Sequence, residues 1–298
     1  MLINAVGEDN VCQNEAMLKH TTFKIGGKAD FFVMPQTAEH LHGIIKGCKE
    51  NNIPYLILGN GSNLLMHDDG FFGVVISLLG LNKISIENGV ITAQAGASMK
   101  SLAEFALAHG ITGFEFCHGI PGSVGGGVYM NAGAYEGEMS QIFVSATCLD
   151  GQNSFQEITS AHADFSYRKS FAQTNGLIVV SAAFKGEQGD KPSIAAKMEE
   201  LQEKRESRQP LEMPSAGSIF KRPEGHFAGK LIMDAGLKGY SVGGAMVSDK
   251  HCGFIVNKGD ATCRDVLELI HHIQQTVQAK FGVLLETEVK VLGGRNEN

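Results

Sequence analysis

The chain of 298 residues contains no tryptophan, only seven prolines and no excess of positive charge. Lysine and arginine together number 25 against 32 aspartates and glutamates, so the formal net charge is −7. Proteins that bind nucleic acid present basic surfaces, and this balance argues against such a partner. No apolar run reaches membrane-spanning length, and residues 1–4 lack the basic start of a signal peptide. We therefore expect a cytoplasmic protein with no membrane partner.

Several chemical motifs are also missing. The six cysteines are scattered without a Cys-x-x-Cys pair, which indicates reduced thiols and not a disulfide framework or a metal site. The sequence has no Walker phosphate loop, no Gly-x-Ser-x-Gly nucleophile elbow and no His-Glu-x-x-His motif. These absences argue against a Walker-type nucleotide site, a hydrolytic serine and a bound metal.

Glycine, in contrast, is abundant, with 37 residues, and it is concentrated in two runs at residues 58–63 and 119–135. Because glycine has no Cβ, consecutive main-chain N–H groups can approach and surround an anion such as a pyrophosphate. Tight turns between strands are the alternative explanation, although the second run is longer than a hairpin requires. The spacing does not fit the Rossmann fingerprint. Together the two runs predict loops that hold a dinucleotide in a less common way.

Hydrophobic periodicity and turn signals predict a mixed α+β fold of two or three lobes. Two hairpins are expected, across Asn88-Gly89 and across Asp150-Gly151. Hairpins in place of repeated βαβ units argue against a Rossmann domain. Helices are predicted at residues 37–52, 98–109, 193–208, 228–235 and 265–281, and strands at 53–58, 73–78, 84–86, 91–95, 144–149, 155–158, 177–184, 240–248, 254–257 and 284–292. Thr37 is the expected cap of the first helix, and one face of that helix carries Leu41, Ile44, Ile45 and Cys48. Thr262 and Asp265 resemble a capping box before the last helix, whose buried face is marked by Val266, Leu269, Ile270, Ile273 and Val277.

Three polar residues stand out, and each has an ordinary explanation when it is taken alone. Arg168 belongs to a Tyr-Arg pair, which is most often a surface feature, and Ser218 lies in a run of small residues where it would serve as a cap. Glu288 alternates with Glu286 along the last strand, so the two share one face. Between apolar neighbours, Glu288 is either a partly buried carboxylate with a raised pKa or a solvent-facing one.

Eight short segments in fixed order carry a resemblance that spans nearly the whole chain. They are TFKIGGKAD at 22–30, LGNGSN at 58–63, GIPGS at 119–123, NAGAY at 131–135, YR at 167–168, AGSIFKRP at 216–223, AGKLI at 228–232 and ETEV at 286–289. On these segments the chain resembles the UDP-N-acetylenolpyruvoylglucosamine reductases, flavoenzymes of peptidoglycan precursor synthesis.

The resemblance implies an α+β fold of the vanillyl-alcohol-oxidase (PCMH) type. In that fold two α+β subdomains bind FAD and a C-terminal α+β domain binds the substrate. On this basis residues 1–75 and 76–192 are expected to form the two FAD-binding subdomains. Residues 205–283 would form the substrate domain, and residues 284–293 would return as a strand to the second subdomain.

The resemblance also implies the reaction and its participants. NADPH reduces a non-covalently bound FAD, which then reduces UDP-N-acetylglucosamine enolpyruvate to UDP-N-acetylmuramate. We expect the enzyme to be a monomer. By similarity, the cofactor-binding residues are Gly59, Asn60, Gly61, Ser62, Asn63, Ile120, Pro121, Gly122 and Ser123, with Ala132 and Gly133 close to the cofactor.

By the same similarity, Arg168 holds the substrate carboxylate as it gains charge, Ser218 donates the proton and Glu288 assists. The interval between Arg168 and Ser218 contains no tyrosine, so the chain resembles the shorter members that lack a tyrosine-bearing capping loop. The substrate-binding residues implied by the resemblance are Tyr167, Arg222, Lys230 and His251, and Arg205 is a further expected partner of the substrate pyrophosphate.

Two other functions remain open at this point. A flavin oxidase of a small alcohol or sugar would share the fold, would react rapidly with oxygen and would ignore NADPH. A nucleotide-sugar-binding regulator without turnover would need neither flavin nor the three polar residues.

Overall fold

The computed structural model describes residues 10–135 and 137–294, together with Leu2 and Gly7. Met1, Ile3 and Asn4, part of the start that was predicted to lack a signal peptide, lie outside these residues. The chain forms two compact units built from interleaved segments. The first comprises Met1–Cys12, Phe31–Asn60 and Gly73–Arg205, and the second Gln13–Asp30, Gly61–Phe72 and Glu206–Asn298. The division into two FAD-binding subdomains and a substrate domain stays a prediction.

Helices and strands alternate irregularly along the chain. The described helices are α1 Ala38–Glu50, α2 Met99–Ala108, α3 Val124–Met130, α4 Met139–Ile142, α5 Phe171–Thr174, α6 Lys191–Arg208, α7 Ala228–Asp234 and α8 Cys263–Phe281. The strands are β1 Val11–Ala16, β2 Lys28–Val33, β3 Tyr55–Leu58, β4 Leu64–Met66, β5 Phe71–Ser77, β6 Ile84–Glu87, β7 Val90–Gln94, β8 Ile111–Thr112, β9 Gly133–Ala134, β10 Gly137–Glu138, β11 Phe143–Leu149, β12 Phe155–Thr159, β13 Ile178–Lys185, β14 Glu187–Gln188, β15 Ser215–Ser218, β16 Ser241–Val242, β17 Ala245–Val247, β18 Phe254–Asn257 and β19 Lys290–Leu292.

The first unit contains a five-stranded antiparallel sheet in the order β12-β11-β13-β7-β6. Glu87 pairs with Val90, so the hairpin across Asn88-Gly89 is confirmed. The hairpin across Asp150-Gly151 is confirmed with a longer loop, since Leu149 pairs with Phe155. Helices α2 and α3 pack on this sheet around buried apolar side chains that include Met99, Leu102, Val124, Val128 and Phe184.

A four-stranded sheet in the order β1-β2-β5-β3 also forms, and α1 contributes Leu41, Ile44, Ile45 and Cys48 to the core beside it. These are the four residues predicted to face the core. The α1 helix begins after Thr37, whose side chain accepts a 3.2 Å hydrogen bond from the amide of His40. This side-chain cap explains why the helix starts where the sequence predicts.

The second unit is built on an antiparallel sheet in the order β15-β18-β17-β16. Helix α8 packs on it through Val266, Leu269, Ile270, Ile273 and Val277, as its periodicity predicts. Thr262 and Asp265 form the expected capping box at its start. No helix in the described part of the chain combines the length and the apolar character needed to cross a lipid bilayer.

The glycine-rich run 119–135 is not a continuous loop, because residues 124–130 form α3. This corrects the prediction. A Cβ on Gly125 would lie 2.8 Å from the Ala95 side chain, and one on Gly127 would lie 2.7 Å from the sulfur of Met99. The glycines therefore let a short helix pack closely against its neighbours, a use that their number alone does not distinguish from a loop.

The last predicted strand, residues 284–292, is interrupted. Thr287 forms an isolated antiparallel bridge with Phe220, whereas Lys290–Leu292 pairs in parallel with Leu64–Met66. The segment changes its pairing partner at Val289, and a change of partner breaks the ladder. The predicted strand at 240–248 is likewise divided into β16 and β17, which pair with each other across Gly243-Gly244.

Candidate active site

The two glycine runs meet within the first unit. The side-chain amide of Asn60 donates a 2.7 Å hydrogen bond to the carbonyl oxygen of Pro121. A Cβ on Gly59 would collide with the hydroxyl oxygen of Ser123. The start of the first run therefore lies directly against the second, which forms a narrow cradle of backbone groups from two distant parts of the chain.

The second run is held firmly where it contributes to this cradle. Ser123 is only 2% exposed and caps α3, with its hydroxyl oxygen 3.4 Å from the amide of Gly126. The carbonyl of Gly122 accepts a 3.0 Å hydrogen bond from Met99 in the first turn of α2, and the amide of Ile120 donates to Cys117. These bonds fix the backbone of the loop before any ligand arrives.

A buried polar atom next to the cradle fits a cofactor site. Ser77 ends β5 in register with Leu58, the first residue of the first glycine run. Its side chain is 1% exposed, and its hydroxyl has no hydrogen-bond partner among the described residues. A buried hydroxyl without a partner costs free energy, so a bound ligand that reaches it would satisfy it. The cradle and this hydroxyl both agree with an FAD site.

Arg168 lies at the tip of a tight turn in the first unit. Ser166 and Lys169 exchange two backbone hydrogen bonds across it, and Arg168 adopts a left-handed conformation with φ of 57°. Its guanidinium stands 4.9 Å from the ring centre of Tyr167 and reaches the carbonyl of Gly133 at 3.4 Å. The turn thus brings together Tyr167, Arg168 and Gly133, three of the residues selected from the sequence.

Asn131 is a residue that the sequence reasoning did not assign, and it holds this turn in place. Its side chain is fully buried, donates to the carbonyl of Ser166 at 3.1 Å and accepts from the amide of Ser140 at 3.0 Å. It also ends α3 with φ of 42°. An asparagine within the glycine-rich run was the available signal, because asparagine tolerates the left-handed conformation.

Ser218 lies at a bulge in the second unit. In β15, Ser215 pairs with Val256 and Ser218 with Phe254, so the register shifts between them. Gly217 has a φ of +75°, a backbone conformation that glycine adopts without strain. Such a bulge redirects the side chain that follows it. Ser218 itself is half-buried.

Glu288 lies on the segment that pairs with the residues after Ser218. Its amide donates a 2.7 Å hydrogen bond to the carbonyl of Ile219, and its own carbonyl accepts one of 3.1 Å from the side chain of Asn63. Glu288 is half-buried, whereas Glu286 is exposed and forms a 3.0 Å ion pair with Lys221. The second unit therefore brings Ser218, Glu288 and Asn63 together.

The second half of the first glycine run is also part of this assembly. Gly61 has a φ of +62°, and a Cβ there would collide with the carbonyl oxygen of His20. Ser62 is half-buried beside it, and the carbonyl of Asn63 accepts a 3.0 Å hydrogen bond from Lys290. The loop is therefore fixed on one side by residues 20–22 and on the other by the segment that carries Glu288.

The predicted substrate-binding residues of the second unit differ in their surroundings. Arg222 is exposed and lies 4.0 Å from the ring centre of Phe227, and Lys230 forms a 2.8 Å ion pair with Asp234 on the surface of α7. His251 is half-buried and accepts a 3.1 Å hydrogen bond at Nδ1 from the amide of Gly253. Burial lowers the pKa of His251.

Arg205 lies against the beginning of the second glycine run in the first unit. A Cβ on Gly119 would be 3.3 Å from the Cδ atom of Arg205. Burial lowers the pKa of Arg205, while its interaction with Tyr135 raises it.

Within residues 10–135 and 137–294, no group of three or more histidine, cysteine or acidic side chains is arranged to hold a metal ion.

Known proteins match this chain over nearly its whole length. Residues 209–292 match the model for the UDP-N-acetylenolpyruvoylglucosamine reductase C-terminal domain, and residues 29–159 match the model for an FAD binding domain. The reductase of Clostridium novyi (strain NT) is 49% identical over 297 residues, which cover 100% of this chain and 97% of that protein. The chain belongs to the UDP-N-acetylenolpyruvoylglucosamine reductase family.

Two further relatives support the assignment. The reductase of Clostridium perfringens (strain SM101 / Type A) is 49% identical over 286 residues, 96% of this chain and 94% of that protein. The crystal structure of the Thermus caldophilus reductase aligns with a TM-score of 0.80 at 34% identity, covering 93% of this chain and 97% of that one. The predicted family, the α+β FAD-binding fold and the class of FAD-containing oxidoreductase are thereby confirmed.

Proposed function

We propose that this chain catalyses the NADPH-dependent reduction of UDP-N-acetylglucosamine enolpyruvate to UDP-N-acetylmuramate in peptidoglycan precursor synthesis. The observation that carries the proposal is the placement of the Ser218 bulge beside Glu288 and Asn63, the last residue of a cofactor loop. A cytoplasmic location, a monomeric state and the absence of a tyrosine-bearing capping loop belong to the same proposal.

The cofactor is held by backbone groups more than by charged side chains. Bound FAD would supply hydride transfer from NADPH to the methylene carbon of the enolpyruvyl group. Residues 59–63 and 120–123 would hold the pyrophosphate, since their amides and small side chains leave room for close approach. Ala132 and Gly133 are half-buried next to the Arg168 turn and would lie near the flavin.

Ser218 is the proposed proton donor. Addition of hydride to the methylene carbon leaves an electron pair on the carbon that bears the carboxylate. Ser218 Oγ–H gives its proton to that carbon, which completes the saturated lactyl ether and leaves the serine to regain a proton from solvent. A serine hydroxyl is a weak acid in water, but a strongly basic carbanion held in contact with it makes the transfer feasible.

Arg168 and Glu288 are proposed to act on the charge that develops during the reaction. The guanidinium of Arg168 would pair with the substrate carboxylate, which carries more negative charge after hydride addition. Its turn is fixed by the Ser166–Lys169 hydrogen bonds, so the charge is positioned before the substrate binds. Glu288 would stabilise the same region by hydrogen bonding. Tyr167, Arg222, Lys230 and His251 would contact the rest of the substrate.

Anaerobic spectroscopy tests this function. The purified protein is expected to show a flavin absorption band that bleaches with NADPH and returns when UDP-N-acetylglucosamine enolpyruvate is added. UDP-N-acetylmuramate should then be detected by mass spectrometry. A flavin that is insensitive to NADPH, or that is reoxidised by oxygen and not by the enolpyruvyl compound, would contradict the proposal and favour an oxidase.

A further inference from the structure

Thr22 makes hydrogen bonds to two of the segments that form the candidate active site. Its amide donates a 3.2 Å hydrogen bond to the carbonyl of Gly61 in the first glycine run. Its hydroxyl donates a 2.7 Å hydrogen bond to the carbonyl of Ser215, the first residue of β15. The hydroxyl also lies 3.5 Å from the Gly61 carbonyl, but it has one proton, and the shorter contact takes it.

The bond from Thr22 holds Ser215, the residue at which the bulged segment begins. Ser218 is paired with Phe254 and Ser215 with Val256, and the two residues between them are out of register. A bulge leaves its extra residues without regular ladder bonds, so its shape depends on the groups that hold each end. The Thr22 hydroxyl supplies such a hold from a segment nearly two hundred positions away in sequence.

The backbone around Thr22 is fixed without help from its hydroxyl. Phe23 is fully buried in the core of the second unit, and its carbonyl accepts a 3.1 Å hydrogen bond from the side chain of Asn257. The buried hydroxyl of Thr21 bonds to the carbonyl of Ile25 at 3.1 Å. Removal of the Thr22 hydroxyl therefore leaves the segment and its bond to Gly61 in place.

We propose that Thr22 is a positioning residue that holds the Ser218 bulge in register with the cofactor loop, and thereby aligns the proton donor. This inference depends on the proposed function, because it assigns the loop to FAD and the proton to Ser218. It predicts that the hydroxyl of Thr22 matters for the transfer of reducing equivalents to the substrate, and matters little for cofactor binding or for reduction by NADPH.

The test compares Thr22→Val, which replaces the hydroxyl with a methyl group of similar size, with Thr22→Ser, which keeps the hydroxyl. Thr22→Ala removes the same hydroxyl without adding a methyl group, so it gives the same test if valine disturbs folding. Thr276→Val is the matched control, because its hydroxyl also donates a 2.8 Å bond to a backbone carbonyl, that of His272, within α8. Anaerobic stopped-flow absorbance measures the two half-reactions separately.

Thr22→Val and Thr22→Ala are expected to be reduced by NADPH at close to the wild-type rate. Their reoxidation by the enolpyruvyl substrate is expected to slow by about ten- to a hundredfold, because misplacement of a reacting group by about 1 Å can slow a reaction up to about a hundredfold. The solvent deuterium isotope effect on reoxidation is expected to increase. Thr22→Ser is expected to restore most of the rate, and Thr276→Val to behave as wild type.

Three outcomes would overturn the proposal. The first is wild-type reoxidation in both variants that lack the hydroxyl, and the second is equal slowing of both half-reactions, which indicates a general structural role. The third is a Thr22→Ser variant as slow as Thr22→Val. If the wild-type flavin is never reoxidised by the substrate, the proposed function fails first. A wild-type cycle with unaffected Thr22 variants refutes the positioning role alone.

Discussion

The amide of Glu288 donates a 2.7 Å hydrogen bond to the carbonyl of Ile219, the residue that follows Ser218. This bond joins the C-terminal segment to the strand that carries the proposed proton donor. The carbonyl of Glu288 is in turn held by the side chain of Asn63. The strand that carries Ser218 and the segment that carries Glu288 are therefore linked through backbone groups. Asn63, at one end of the proposed cofactor loop, is linked to Glu288 through its side-chain amide.

The first prediction concerns Gly61, which has a positive φ and where a Cβ would collide with the carbonyl oxygen of His20. We expect Gly61→Ala to weaken FAD binding by tenfold or more, because a Cβ there displaces the loop from His20. The variant should also lose stability beyond the roughly 1 to 2 kcal/mol expected for alanine in a left-handed conformation. Fluorescence titration with FAD and urea unfolding measure the two effects.

Gly176→Ala is the matched control for that variant. Gly176 has a φ of +61°, almost the same as Gly61, but a Cβ there would meet no atom within 4 Å. It should show the conformational cost alone, with FAD affinity unchanged. Equal behaviour of the two variants would mean that the contact with His20 does not position the loop.

The second prediction concerns Asn131. We expect Asn131→Ala to destabilise the protein by about 1 to 3 kcal/mol, because Ser166 and Ser140 lose their buried partner. We also expect a higher KM for the substrate, since the Arg168 turn loses its anchor. Asn131→Gly removes the same bonds but suits the φ of 42°, so it separates their loss from backbone strain. A wild-type KM in both variants would contradict an anchoring role.

The third prediction concerns pH. Burial lowers the pKa of His251, so the folded protein binds this proton less tightly than the unfolded chain does. Above the unfolded-state pKa of about 6.5, His251 is neutral in both states and does not make the free energy of unfolding depend on pH. As the pH falls below that value, the unfolded chain takes up the proton more readily, so protonation favours unfolding. His251→Gln should therefore reduce the loss of stability between pH 6.5 and the lowered pKa.

The measurement is the free energy of unfolding in urea at several pH values. Glutamine keeps an oxygen that can accept from the amide of Gly253, so the local fold should survive. His118→Gln offers an independent test, because burial lowers the pKa of His118 as well and the nearby charge of Lys100 lowers it further. If the free energy of unfolding changes with pH in the same way for wild type and both glutamine variants, the buried histidines do not cause the loss of stability at low pH.

Local elements could be predicted from the sequence wherever a cap or a turn signal fixed their ends. Thr37 and Thr262 begin α1 and α8 as predicted, because each side chain accepts a hydrogen bond from a backbone amide of the first turn. Asn88-Gly89 gives the predicted two-residue hairpin. The sequence assigns the two glycine runs to one ligand by their common chemistry, and the Asn60 to Pro121 bond shows that the runs also touch each other.

What the sequence did not reveal depends on contacts between distant residues. The helix α3 forms inside a run that reads as a loop, because Gly125 and Gly127 are needed for close packing on Ala95 and Met99. The last strand breaks where its segment changes partners, from residues 219–221 to β4. The proposed role of Thr22 rests on a hydrogen bond to a distant backbone carbonyl, which leaves no pattern in a single sequence.

The pair of anaerobic half-reactions of Ser218→Ala tests whether Ser218 donates the proton. We predict that NADPH reduces its flavin at close to the wild-type rate, whereas reoxidation by UDP-N-acetylglucosamine enolpyruvate slows by about a hundred- to ten-thousandfold, the range for loss of a general acid. Ser241→Ala, in the outer strand of the same sheet, should match wild type in both steps. Reoxidation of Ser218→Ala at the wild-type rate would contradict the role of Ser218 as proton donor.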